Sequence, residues 1–202
     1  MDEKYLSITA KKKQIKENQL FTAAYDLFLM QDIGKTSIDD IVKKAGVAKG
    51  TFYLYFKDKN DLLHRLILKK SNEIMKAALE KTNECGSEDF KIRTITFIDY
   101  IINYLKDNVS LLNMINKNIS WGIYRSAIMK PEEYNEVQIA LNVFINNLTK
   151  EGMDRKEAEL TLFMIIELLG SVCYTTIILK EPTDIDTIKP LLFKKILSMI
   201  EN

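Results

Sequence analysis

The chain has 202 residues, 47% apolar and 28% charged with a formal net charge of +1, long enough for a small domain followed by a larger one with its own core. Two cysteines, Cys85 and Cys173, exclude a disulfide framework and have no metal-ligand spacing, and the amino-terminal MDEKYLSITAKKK has no apolar signal core, so a cytoplasmic, reducing setting is expected. Residues 1–60 carry a surplus of three positive charges and residues 61–202 an excess of two negative ones. That balance fits a few phosphate contacts per subunit and excludes a broad basic track.

The spacing predicts helix after helix, with no internal repeat and no proline before Pro131. A first long helix over 11–31 presents Leu20, Ala24, Leu27 and Phe28 on one face. Lys11, Lys12, Lys13 and Lys16 at its start form either a solvated helix end or an arm reaching DNA. The next stretch, Thr36 to Lys59, reads as a helix-turn-helix. Ser37 caps a short helix, Asp40 takes the capping-box position, and Ile38, Ile41, Val42 and Ala45 form its apolar stripe. Gly46 supplies the left-handed residue for a sharp turn, and Val47 plugs the angle. A second short helix, Ala48 to Phe56, buries Phe52 and Phe56 and leaves Lys49, Thr51, Tyr53 and Tyr55 outward. Such hydroxyls and ammonium groups reach phosphate oxygens, and Gly50 lets backbone approach the major groove. Asp58 caps the following helix and puts Lys59 in its first turn, where free amides attract phosphate.

The run from about Leu20 to Leu63 resembles the DNA-binding domain of the TetR family of bacterial repressors. The resemblance rests on Ala24, Leu27-Phe28, Gly34, Thr36-Ser37, Asp40-Ile41, Ala45-Gly46-Val47, Lys49-Gly50-Thr51-Phe52-Tyr53, Tyr55-Phe56, Lys59 and Leu62-Leu63. It implies that Lys49 and Gly50 lie nearest base edges and that Ser37, Thr51, Tyr53, Tyr55 and Lys59 hold phosphates. Leu54 departs from the family pattern at a position where many relatives carry a polar or aromatic residue. Beyond the first third of the chain the resemblance rests on length and helical layout.

After Asp58 a long connector helix runs to Cys85-Gly86-Ser87 through Leu62, Leu63, Leu66, Ile67, Met75, Ala78 and Leu79, able to move the recognition helix as a lever. His64, the sole histidine, has no partner at ligand spacing and reads as a packing or surface residue, so neither a metal nor a cofactor is expected. Helices then follow over about 88–106, 110–119 and 131–150. Their aromatic and methionine positions are either plain core or the wall of a small-molecule pocket. The pocket candidates are Phe97, Tyr104, Met114, Asn118, Trp121, Tyr134 and Phe144, joined by Phe163 and Glu167 from the next helix.

That next helix opens at the Asp154 cap, with Glu157 three residues on, and runs from Arg155 to about Lys180; a final helix spans about 186–200. Leu160 to Leu179 contains one charge, Glu167, and is long enough to cross a membrane. Its hydroxyl-bearing residues and the lack of a second span argue instead for a helix with one side on its own domain and another on a partner subunit. Gly170, Ser171 and Tyr174, with Leu192 and Ile196 of the final helix, are the dimerisation candidates. The resemblance implies a four-helix bundle here, and a two-fold dimer presents recognition helices to half-sites about 34 to 36 Å apart. Glu167 either makes an interhelical hydrogen bond or selects a cationic or hydrogen-bonding ligand.

The expected architecture is all-α: residues 1–58 as a three-helix DNA-binding domain, and 59–202 as a helical ligand-binding and dimerisation domain. The expected function is a homodimeric transcriptional repressor, released from a palindromic double-stranded DNA operator by a small, largely apolar effector. An architectural DNA-binding protein of the same fold, controlled by a partner, is the alternative, and a cavity-free core would favour it. No nucleophile-base pair or phosphate loop supports an enzyme, so no catalytic residues are assigned.

Overall fold

A computed structural model describes residues 3–31, 33–116 and 134–201, with side chains from residue 11 onward. All regular structure among the described residues is helical, and the chain divides into two compact units, one ending at Ile67 and the other beginning at Leu68.

The first unit holds α1 (Glu3–Met30), a 3-10 turn (Ile33–Lys35), α2 (Ile38–Ala45), α3 (Lys49–Tyr53) and the opening turns of α4 (Lys59–Glu84). Local chemistry sets its boundaries. The Ser37 hydroxyl accepts the amide of Asp40 at 3.1 Å while the Asp40 carboxylate takes the Ser37 amide at 2.9 Å, a reciprocal capping box that starts α2. Gly46, at φ 67°, ends α2 in the left-handed conformation that glycine adopts without strain. α4 starts the same way: Asp58 accepts the Asp61 amide at 2.8 Å, and Asp61 accepts the Lys57 amide at 2.9 Å. Leu20, Ile41, Phe52, Phe56, Leu62 and Ile67 are fully buried, with Phe21 edge-on to Phe56 at 5.1 Å.

Arg65 ties this unit together. Its guanidinium donates to the Tyr55 carbonyl at 2.9 Å and the Glu17 carboxylate at 2.5 Å, and lies over the Phe56 ring at 4.9 Å. The first turns of α4 therefore pack as part of the first unit. The compact units meet nine residues past the 58/59 division read from the sequence, inside a helix that is continuous across the boundary.

The second unit comprises the rest of α4, then α5 (Phe90–Asp107), α6 (Val109–Asn116), α7 (Asn135–Lys150), α8 (Arg155–Cys173), a π-helical turn (Tyr174–Leu179) and α9 (Ile185–Ile200). Its core runs through Leu68, Ile98, Ile102, Leu112, Val137, Leu141, Leu148, Leu162, Ile165, Leu192 and Ile196. Asp89, Asp154 and Asp184 cap α5, α8 and α9 with their carboxylates. Tyr134, at the start of α7, makes no side-chain cap; the Asn72 amide oxygen of α4 accepts the amides of Glu136 and Val137 at 2.9 and 3.2 Å instead. Charged links join α5 to α9: Lys106 to Asp186 at 2.6 Å and Lys189 to Asp99 at 3.0 Å.

The single helix expected over 155–180 changes form at Cys173. The Thr176 hydroxyl donates to the Val172 carbonyl at 2.7 Å and that of Thr175 to Ser171, side-chain bonds that compete with the regular ladder. Cys173 is buried, which pushes its thiol up to about 11, and Cys85 is exposed. By length and composition Arg155–Leu179 could cross a membrane, but Ala158, Thr161, Leu162, Ile165 and Cys173 of α8 are buried within the unit.

Candidate functional site

The amino ends of α2, α3 and α4 carry the candidate DNA-contacting residues, and two links join them. Lys49 of α3 pairs with Asp39 of α2 at 2.9 Å, and this hydrogen-bonded carboxylate raises the lysine pKa. The Lys59 ammonium donates to the carbonyls of Ile33 and Thr36 at 2.6 and 2.7 Å, next to the Ser37 cap. The capping bonds from Ser37, chiefly through its side chain, hold the Asp40 carboxyl below the usual carboxylate range.

Ser37, Lys49 and Gly50 are exposed, Tyr53 is 54% exposed, and Thr51, Tyr55 and Lys59 are half-buried. The regular helix stops at Tyr53 rather than Phe56, because the chain turns there to carry Phe56 into the core. A Cβ placed on Gly50 would meet nothing within 4 Å, so nothing inside the chain demands glycine there. Leu54 is 76% exposed and closes the helix, an apolar tip at the position where the chain departs from the family pattern. Asp39 and Arg65 were missed by sequence reasoning; an acid two residues past the cap and facing Lys49 was visible only as part of the α2 first turn.

The second unit encloses a cavity of about 530 Å³, within the range of small-ligand sites. Leu112 and Ile115 of α6, Phe144 of α7 and Leu162, Ile165 and Leu169 of α8 form apolar walls, with Phe97 and Ile101 from α5. Thr82, Asn83, Glu88 and Arg93 cluster where α4 gives way to α5, and Asn147 adds one more amide.

Of the pocket candidates, Phe97 and Phe144 line this cavity. Met114 and Tyr134 are buried but do not line it, and neither do Tyr104, which stacks with Tyr100 at 6.4 Å, and the half-buried Phe163. Glu167 is exposed on α8, away from the lining. Asn118 and Trp121 lie outside the described residues, as does the start of the helix expected from Pro131. Of the dimerisation candidates, Ser171 is exposed and Tyr174 half-buried; Gly170 lines the cavity, and Leu192 and Ile196 are 4% and 0% exposed within their own chain. The exposed apolar residues of α8 are instead Leu160 and Met164, which share a helical face with Glu167 and Ser171.

The family model for bacterial regulatory proteins of the tetR family matches residues 20–66, from the middle of α1 into α4. Among curated proteins, the HTH-type transcriptional regulator YvdT of Bacillus subtilis is 28% identical over 158 residues, covering 75% of this chain and 79% of its own. The fatty acid metabolism regulator protein of the same organism is 25% identical over 166 residues, covering 78% and 82%. The fold is shared with the transcriptional regulator FadR from Bacillus subtilis solved in complex with stearoyl-CoA, at a TM-score of 0.63, 21% identity and coverage of 90% of this chain and 97% of that one. These relatives are transcriptional regulators rather than enzymes, and the helix-turn-helix geometry accords with them. Over residues 20–66 the chain is thus similar to the tetR family of bacterial regulatory proteins, and over most of its length it is similar to these regulators.

Proposed function

We propose that this regulator is a cytoplasmic, homodimeric repressor that leaves a palindromic operator when a small, largely apolar molecule occupies the cavity of the second unit. The single observation that carries the reading is the coexistence, in one chain, of an exposed recognition helix with Lys49, Gly50 and Tyr53 and of an apolar-walled cavity of about 530 Å³. The hollow core weighs against an architectural protein controlled by a partner. Long-chain acyl compounds are the first effectors to try, because one relative is a regulator of fatty acid metabolism and a protein of the same fold was solved with stearoyl-CoA.

In this mechanism Lys49 and Gly50 face base edges, while Ser37, Thr51, Tyr53, Tyr55 and Lys59 hold phosphates. The exposed face of α8, with Leu160 and Met164, meets a second copy of the chain. An effector releases DNA only to the extent that it binds the DNA-free arrangement more tightly. α4 is the element through which it acts, since Met75 and Leu79 line the cavity and the same helix opens at Lys59.

The test is a genome-wide capture of DNA fragments by the purified protein, followed by titration of acyl compounds on the best fragment. A few palindromic sites, released by at least one ligand of the cavity, are expected. Motif-free binding unaffected by any cavity ligand would overturn the proposal in favour of the architectural one.

A further inference from the structure

Resting on the effector reading above, we propose that the cavity takes an amphiphile with an anionic headgroup, and that Arg93 is the residue that receives the charge. The cavity is chemically lopsided. Its α6, α7 and α8 walls are largely hydrocarbon, whereas its polar lining gathers at the α4–α5 junction, where Arg93 is the one cation among the described lining residues.

Arg93 is the fourth residue of α5, a position where the positive end of the helix dipole disfavours a cation. The other cation of that turn, Lys91, is paired with Glu201 at 2.8 Å. Among the described residues Arg93 has no such carboxylate. Its guanidinium donates to the Asn83 side-chain oxygen at 2.9 Å and the Ser87 carbonyl at 3.3 Å, both neutral acceptors. Glu88, also on the rim, is exposed and forms no ion pair with it, and the Asp89 carboxylate is taken by the amides of Lys91 and Ile92. A guanidinium has five N–H donors, so most of the fork remains available to a two-oxygen anion. An apolar chain lying against Phe97, Ile165 and Leu169 would place such a head at the rim. The shared chemistry is a carboxylate or a phosphoryl group on a long apolar chain.

The experiment measures binding of palmitate, palmitoyl-CoA and hexadecanol to the full chain and to Arg93→Gln, below the concentrations at which these compounds aggregate. The intact protein is expected to prefer at least one of the anions to the alcohol, and Arg93→Gln to weaken that anion about 10-fold or more while leaving hexadecanol within about twofold. Tighter binding of palmitate assigns the head to a carboxylate; tighter binding of palmitoyl-CoA assigns it to phosphoryl groups. Asn83→Asp serves as a second variant: it keeps the hydrogen bond but gives Arg93 a carboxylate, and should cost anion affinity without touching the alcohol. Equal binding of alcohol and anions by the intact protein would overturn the headgroup assignment and leave the apolar cavity standing. So would a parallel loss of all three ligands in both variants, the mark of a purely structural arginine. Failure of every compound to bind would sink both readings.

Discussion

The Lys59 ammonium sits 2.7 Å from the Thr36 carbonyl and 2.6 Å from that of Ile33, so the first turn of α4 closes the loop that leads into α2. An ammonium has three donors, and this arrangement uses two. On the proposed function the third meets a phosphate at the adjoining α2 terminus. Lys59→Ala is therefore expected to do two things at once. It should lower the stability of the first unit by about 1 to 3 kcal/mol, since two carbonyls lose a charged donor. It should also reduce the slope of log affinity against log salt by about one, the signature of one lost phosphate contact. Denaturant unfolding with a salt titration on operator DNA separates the two effects. Reduced stability with an unchanged salt slope would make Lys59 a structural clasp alone.

The capping box gives α2 an acid limit. Because bonds from Ser37 depress the Asp40 pKa in the folded chain, the folded state binds fewer protons there than the unfolded one. The box thus contributes stability above the ordinary aspartate range and loses it as pH falls through the depressed folded value. Ser37→Ala should lower the thermal midpoint by a constant amount at neutral pH. The gap between variant and parent should close as pH drops below the unperturbed value of 3.8. A gap that widens in acid would contradict the assignment of Asp40 as the ionised half of the box.

Asp39 ties α3 to α2. It holds the Lys49 ammonium at 2.9 Å and cancels one positive charge where DNA would dock. Asp39→Asn should raise affinity for random-sequence DNA and steepen its salt dependence, because a freed Lys49 can neutralise any phosphate. Discrimination between operator and random DNA should fall. Both effects are read by competition binding at two or more salt concentrations. No change in the specificity ratio would reduce the pair to an ordinary exposed ion pair, whose contribution is small.

How much of this was legible in the sequence follows from how far each interaction reaches along the chain. The helix-turn-helix was readable because its determinants are local: Ser37 and Asp40 are three residues apart, Gly46 needs only its own backbone angle, and Phe52 and Phe56 are one turn apart. Arg65 with Glu17 and Asn72 with Glu136 span 48 and 64 residues, and no periodicity announces a partner at that distance. Residues of helices apolar on most sides were the hardest to assign. Periodicity shows that α8 and α9 have more apolar surface than one face can bury, but not which stripe turns inward. So Leu192 and Ile196, read as partner-facing, pack in their own core, and Gly170 borders the cavity. Glu167, the one charge in the run, lies on the exposed face, where an acid needs no buried partner.

The same distinction yields a test of the dimer. Leu160 and Met164 are 52% and 48% exposed, one turn apart on α8, so a charge there disturbs little of the chain's own packing. Met164→Lys should leave helical content and the thermal transition of an isolated subunit nearly intact, yet shift the sedimentation behaviour from dimer to monomer. Operator affinity should collapse with it, because a single recognition helix reads only one half-site. Leu192→Ala should behave in the opposite manner. The side chain is 4% exposed, and its loss should cost about 2 to 5 kcal/mol of folding stability while dimerisation of the folded fraction persists. A Met164→Lys protein that remains dimeric and binds operator normally would move the subunit interface to another face of the second unit.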